Sequence, residues 1–114
     1  MIERSGPMAI GHKVVVHNDL VYVCGMISPD LAPDMKVQAQ GACRRIEELL
    51  AEQGVSKDNL ISAMIHVTDL NLRPELNKVW ADWLSAEHMP IRTCVGVNDL
   101  GAGVMIEITA VAAK

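Results

Sequence analysis

The amino-acid sequence predicts an α+β fold with the element order ββαβαββ, and three observations support this prediction. Short β-branched runs bounded by turn residues indicate strands. Two stretches with apolar residues three or four positions apart indicate amphipathic helices. Several strand runs are apolar at nearly every position, which is typical of strands buried on both faces. The length of 114 residues suits a single domain spanning residues 1–114.

The first two strands, 13–17 and 20–24, are predicted to form a hairpin, because the Asn-Asp pair between them tolerates the positive φ angles of a tight turn. A loop with two prolines follows. From about Met35 the apolar residues recur at helical spacing, and Gly54 ends this first helix.

The second half of the chain continues with a strand at 60–68 and a helix behind Pro74, a residue that suits the first helical turn. Both tryptophans lie on the predicted buried face of this helix. Two further strands, 92–97 and 104–112, are joined by a short polar segment and are predicted to pair as a second hairpin.

The predicted sheet is mixed, and two helices on one face leave its other face uncovered. Residues 14–16, 20–27 and 104–112 are nevertheless apolar at nearly every position. Strands that are apolar on both sides must be buried on both sides. We therefore expect a homo-oligomer whose sheets face one another.

Composition and charge narrow the class of protein. The net charge is −4 and only 3% of residues are aromatic, so the chain lacks both the basic surface and the stacking platforms of nucleic-acid binders. No apolar run approaches the roughly 20 residues of a membrane span. The three cysteines are odd in number and have no CxxC spacing, which indicates neither disulfides nor a metal site. We expect a cytoplasmic protein without nucleic-acid or membrane partners.

Arg92 is the residue that raises a question of function, because it lies inside a run of strand composition. A guanidinium keeps its proton, so its removal from water is costly unless an anion meets it. If Val97 pairs with Val104 across the last hairpin, Arg92 lies opposite Thr109 and Cys94 opposite Glu107. Side chains alternate between faces along a strand.

This register places Arg92, Cys94, Gly96, Glu107 and Thr109 on one face of the sheet, and two interpretations follow. In the first, Arg92 and Glu107 form a structural ion pair at a subunit interface, and the residues alone favour this interpretation. In the second, the small Cys94 and Gly96 leave a recess. Arg92 then binds a ligand carboxylate through two parallel hydrogen bonds, and Glu107 orients or deprotonates a water.

Several spaced motifs resemble the RidA/YjgF family of enamine and imine deaminases, especially its short members. They are VCGMI at 23–27, IHVTDL at 65–70, NKVW at 77–80, PIRTCV at 90–95 and IEITAVA at 106–112. Length and element order also agree from end to end. The resemblance implies a chorismate-mutase-like fold and a homotrimer whose sheets form a central barrel, with sites in the clefts between subunits.

The resemblance also implies roles for individual residues. Arg92 resembles the family arginine that binds the carboxylate of a 2-imino acid, and Glu107 resembles the family glutamate that helps to place the hydrolytic water. Gly25 lies in the backbone segment that lines the cleft, and Cys94 is a lining residue rather than a nucleophile. Asn77 matches a family asparagine on the second helix.

The implied activity is hydrolysis of small 2-imino or enamine acids to 2-keto acids and ammonia, which needs no metal or organic cofactor. One departure is that the segment before the first predicted strand reads GPMAI at 6–10 and lacks the tyrosine of many deaminating members. This departure favours an alternative, a non-catalytic regulatory module that captures a small carboxylate such as a 2-keto acid. Specialisation within a catabolic pathway is a further alternative. A ribonuclease function, attributed to some relatives, is the weakest hypothesis because the chain is acidic.

Two histidines are candidates for secondary roles. His12 lies near the position of the missing aromatic residue, although a solvated strand-edge histidine is the simpler interpretation. His66 lies inside a predicted strand, where a packed or hydrogen-bonded histidine is expected more often than an acid.

Overall fold

A computed structural model of the chain describes all 114 residues, Met1–Lys114. It contains six strands and two α-helices, joined by short turns. In chain order these elements are β1 (Ile2–Met8), β2 (Gly11–His17), β3 (Leu20–Met26), α1 (Met35–Glu52), β4 (Leu60–Val67), α2 (Arg73–Trp83), β5 (Ile91–Gly96) and β6 (Ile106–Ala113). The predicted mixed α+β fold with two helices is confirmed, and one strand is added to it.

All six strands belong to one sheet with the order β1-β2-β3-β6-β4-β5. Every neighbouring pair is antiparallel except β4 and β5, which run parallel. The added strand, β1, was not predicted because Gly6 and Pro7 interrupt its composition. An edge strand tolerates such residues, since one side of its backbone makes no hydrogen bonds to another strand.

The predicted hairpin between the last two strands is wrong, because β4 lies between β5 and β6. Helix α2 connects β4 to β5, and a crossover helix of this kind returns the chain parallel to the strand it left. The segment after β5 then carries the chain past β4, and β6 inserts between β3 and β4. A short polar link between two strands looks like a hairpin in the sequence, but here the crossover decides the pairing.

The helices cover one face of the sheet, as predicted, and the core lies between. Buried side chains from four strands and both helices form it, Cys94 of β5 packs against it, and buried and half-buried residues alternate along β6. The opposite face of the sheet, here called the open face, carries exposed apolar side chains. Tyr22 is 41% exposed, Met64 41% and Ile91 75%.

Both helices begin where the local chemistry favours a start. The side chain of Asp34 caps α1 by accepting hydrogen bonds from the backbone N–H groups of Lys36 and Val37, at 2.8 and 3.3 Å. Helix α2 carries Pro74 in its first turn. Trp80 is buried as predicted, whereas Trp83 is half-buried and donates from Nε1 to Glu47 Oε1 at 2.8 Å.

A fully buried glutamine on α1 holds the segments before α1 and before β6. The Gln38 amide nitrogen donates to the carbonyl oxygens of Ala32 and Gly103, both at 2.9 Å. Its amide oxygen accepts from the Met105 N–H at 2.8 Å. Buried polar groups are expensive to leave unpaired, so this one side chain determines how the chain enters β6.

We expect Gln38→Leu to lower the free energy of unfolding by about 2–5 kcal/mol, because it leaves three backbone groups on two segments without their hydrogen-bond partner. Urea denaturation at fixed protein concentration measures the change. Gln40→Leu is the matched control, since Gln40 lies exposed on the same helix. Equal stability of the two variants would contradict the structural role of the Gln38 amide.

Candidate functional site

Arg92 lies on the helix-covered face of the sheet and has no carboxylate partner in its own chain. It pairs with Ala63 on β4, which pairs in turn with Ala110 on β6, and both alanines are buried in the core. The guanidinium Nη2 donates to Asn77 Oδ1 at 2.6 Å. Its Cζ atom lies 5.6 Å from the centre of the Trp80 ring, within cation–π distance.

The ion pair between Arg92 and Glu107 that the residues alone favoured is therefore absent. The three ion pairs of the chain are Arg45–Glu48, Lys57–Glu47 and His88–Asp58. None of them involves β5 or β6. The guanidinium is oriented by an amide oxygen and an aromatic ring, neither of which neutralises its charge.

Cys94 and Gly96 share the face of Arg92, but the recess predicted beside them is partly filled. A Cβ atom on Gly96 would lie 3.1 Å from both Cγ and Cδ1 of Leu70, so the leucine side chain already covers this glycine. Cys94 pairs with Ile65 and packs, half-buried, against the core. The small residue left beside Arg92 is Cys94.

Glu107 lies on the open face, opposite to Arg92. It pairs with His66 on β4, and His66 pairs with Val95 on β5. The prediction that Arg92, Cys94, Gly96, Glu107 and Thr109 share one face is thus wrong for Glu107 and Thr109. The interposed β4 sets a register in which these two residues alternate with buried ones, and a shift by one residue moves a side chain to the other face.

A β-bulge places Gly25 beneath Glu107. Strand β3 pairs with β6 at Val23↔Ala110 and again at Met26↔Ile108, so two residues of β3 oppose one residue of β6. A Cβ atom on Gly25 would lie 2.7 Å from both Cδ and Oε1 of Glu107. Only glycine at this position leaves room for the carboxylate to lie over the backbone.

Cys24, the other bulged residue, is held as a thiol. Burial raises its pKa, the negative charge of Glu107 raises it further, and Lys13 partly opposes both. Burial likewise raises the pKa of Cys43 to about 12, with a smaller contribution from Glu47. Thiolate is the reactive form of cysteine, so neither residue is an activated nucleophile.

The predicted site residues thus form two groups on opposite faces of one sheet. We call Arg92, Asn77 and Cys94 the arginine half-site, and Glu107, Gly25 and Cys24 the glutamate half-site. Asn77 of α2 contacts Arg92 directly. His12 lies on the face of Val14, away from Glu107.

Neither half-site is enclosed in the single chain. The surface grooves, of about 280 to 350 Å³, lie between α1 and α2 or between α1 and the β1–β2 edge, and Arg92 and Glu107 line none of them. No group of three or more His, Cys, Asp or Glu side chains is arranged to hold a metal ion. No helix is long and apolar enough to cross a membrane.

Three features of the half-sites were missed from the sequence. Trp80 follows Asn77 by about one helical turn, so both side chains lie on the same face of α2. The contact of Trp80 with Arg92 could have been predicted once this face was known to pack against β5. A glycine inside a strand run is a signal for a bulge, and Gly25 provides it. The pairing of His66 with Glu107 depends on the strand order and has no local signal.

Comparison with known proteins identifies the family. The sequence profile described as endoribonuclease L-PSP, which represents the YjgF/RidA family, matches residues 5–114. The chain belongs to this family. The resemblance inferred from the spaced motifs is therefore confirmed.

Relatives and solved structures of this family match along nearly the whole chain. The RutC family protein YoaB of Escherichia coli is 32% identical over 112 residues, which are 98% of this chain and 97% of YoaB. A YjgF family protein from Neisseria meningitidis has 27% identity and a TM-score of 0.95, covering 100% of this chain and 95% of its own. A family member from Mycobacterium tuberculosis has 26% identity and a TM-score of 0.90, with both chains covered fully.

The position of Glu107 beside the bulge leads to a test that does not depend on any activity. Glu107→Gln removes a negative charge that raises the Cys24 pKa, so the pKa falls and more thiolate is present at pH 8. We expect alkylation of Cys24 by iodoacetamide to become about two- to tenfold faster.

Peptide-resolved mass spectrometry measures the alkylation of Cys24 separately from that of Cys43. Glu48→Gln, an exposed charge change on α1, is the matched control and leaves the rate at Cys24 unchanged. An unaltered Cys24 rate in Glu107→Gln would show that the carboxylate does not act on this thiol.

Proposed function

We propose that the protein is a hydrolytic deaminase that converts small 2-imino or enamine acids into 2-keto acids and ammonia. The observation that carries the proposal is the state of Arg92, whose guanidinium is held by Asn77 and Trp80 and meets no carboxylate of its own chain. A guanidinium fork suits a carboxylate in two parallel hydrogen bonds. The anion is therefore supplied by the substrate.

A site that uses both half-sites requires two copies of the chain. Arg92 and Glu107 point to opposite faces of one sheet, so a small ligand cannot touch both within one copy. The apolar residues exposed on the open face also favour burial against a partner, and Ile91, at 75%, is the most exposed of the three named above. We propose a homotrimer with the sheets around a central barrel and a site in each cleft, formed by one copy's arginine half-site and its neighbour's glutamate half-site.

The proposed chemistry assigns one task to each charged residue. Arg92 binds the substrate carboxylate and thereby positions the electrophilic imine carbon. Glu107 takes a proton from water as the water oxygen bonds to that carbon, and passes the proton to the imine nitrogen, which gives a carbinolamine. The hydroxyl proton of the carbinolamine then moves through Glu107 to the amine nitrogen, the C–N bond breaks, and ammonia leaves as the carbonyl forms.

The remaining half-site residues support this assignment. Gly25 lets the Glu107 carboxylate lie over the β3 backbone, and a side chain at this position would displace it. Cys24 is protonated and Cys94 packs against the core, so the proposal needs no covalent intermediate. Each step moves protons only between water, Glu107 and the substrate.

A non-catalytic module that binds small carboxylates is the second candidate. The turn between β1 and β2 carries the fully exposed Ile10 where many deaminating relatives have an aromatic residue nearby. Calorimetry with pyruvate decides between the candidates. Binding that depends on Arg92, without any acceleration of imine hydrolysis, would favour the module.

We expect Arg92→Ala to lower kcat/KM for 2-imino acid hydrolysis by about 100-fold or more, because two charge-assisted hydrogen bonds to the substrate are lost. Arg92→Lys recovers only part of the rate, since an ammonium lacks the planar fork. A coupled assay, in which an amino-acid oxidase generates the imine and keto-acid release is followed, measures both. Arg44→Ala, exposed on α1, is the control. Unchanged activity of Arg92→Ala would reject the proposal.

The shared site predicts complementation between inactive variants. The Arg92→Ala and Glu107→Gln chains are refolded together in equal amounts. A cleft is intact where its Arg92 comes from a Glu107→Gln copy and its Glu107 comes from an Arg92→Ala copy. We expect about one quarter of wild-type activity if trimers assemble at random as closed rings. Each variant alone stays inactive, and sedimentation confirms the trimer. No recovery in mixed trimers would place both residues of each site in one copy.

A further inference from the structure

His66 is the direct neighbour of Glu107 on the open face. The two residues are paired across β4 and β6, and Val95 of β5 flanks His66 on its other side. Directly opposed residues of an antiparallel pair have Cβ atoms about 4.5–5.5 Å apart. The imidazole and the carboxylate-bearing side chain therefore leave the sheet at adjacent positions on the open face.

The two ring nitrogens of His66 lie in different surroundings. Nδ1 is buried and has no hydrogen-bond partner, and it is the one buried side-chain nitrogen or oxygen in the chain in that condition. Nε2 is not buried in this way and also has no partner within the chain. A buried N–H without an acceptor is rarer than an unused acceptor. This favours the neutral tautomer that carries its proton on Nε2, at the open face.

Glu107 leans away from His66. Its carboxylate lies over Gly25 on β3, whereas His66 is on β4, and these strands flank β6 on opposite sides. No hydrogen bond or ion pair joins the two side chains. The Glu107 carboxylate is thus a free hydrogen-bond acceptor on the β3 side of β6. The Nε2–H group of His66 is a free donor on the β4 side.

We propose that His66 donates its Nε2–H to the water molecule that Glu107 deprotonates. The inference rests on the proposed deaminase function and adds a second fixed contact to the nucleophile. Glu107 accepts one water proton and His66 occupies one lone pair of the oxygen, which leaves the other lone pair directed at the imine carbon. His66 stays neutral throughout, so the proton balance of the reaction is unchanged.

The test compares two substitutions at His66 in the trimeric protein. His66→Phe keeps a planar ring without a donor, and we expect kcat to fall about 10-fold or more while KM changes by less than about twofold. His66→Gln restores an N–H donor and recovers part of kcat. His17→Phe makes the same change at an exposed histidine near the end of β2 and retains wild-type kinetics.

Nitrogen-15 NMR of wild-type protein at pH 8 gives a second readout that is independent of turnover. We expect the His66 signals of a neutral ring protonated at Nε2, and a ring protonated at Nδ1 would overturn the inference. An active wild type with an equally active His66→Phe variant overturns the role of His66 alone. A wild type without imine hydrolysis overturns the proposed function and this role together.

Discussion

The position of β4 between β5 and β6 is the constraint on which the rest of the structure depends. Because α2 returns the chain parallel to β4, β5 becomes an edge strand whose alternate residues meet the helices. Arg92 therefore points toward Asn77 and Trp80, while Glu107 points to the uncovered face. A hairpin between β5 and β6 would have placed both charges on one face and allowed them to neutralise each other.

The separation of these charges gives the proposed oligomer a chemical role in addition to the burial of apolar surface. In a single chain, Arg92 has only a neutral partner, and Glu107 lies over a glycine without any cation in hydrogen-bonding contact. In the proposed trimer, one copy's Arg92 and the neighbour's Glu107 line a cleft with one positive and one negative wall. The proposed substrates, which carry an anionic carboxylate next to an electrophilic carbon, are complementary to these two walls.

The glutamate half-site contains one of the two places where the register of the sheet shifts. The bulge at Cys24 and Gly25 lets the carboxylate approach the main chain, and Gln38 fixes the segment that leads into β6 two residues before Glu107. The other register shift lies between Leu60 and Ser62, where β4 pairs with β6.

The sequence by itself determined the class of fold, both helices, five of the six strands and the family. Those features depend on spacing that is readable along the chain, such as the apolar period of α1 or the Asn18-Asp19 turn. It also singled out Arg92, Glu107, Gly25, Cys94 and Asn77. Only the tertiary structure decided that Arg92 and Glu107 lie on opposite faces and that His66 stands beside Glu107. Strand order depends on the crossover through α2, and a contact between residues far apart in the chain leaves no periodic signal in the sequence.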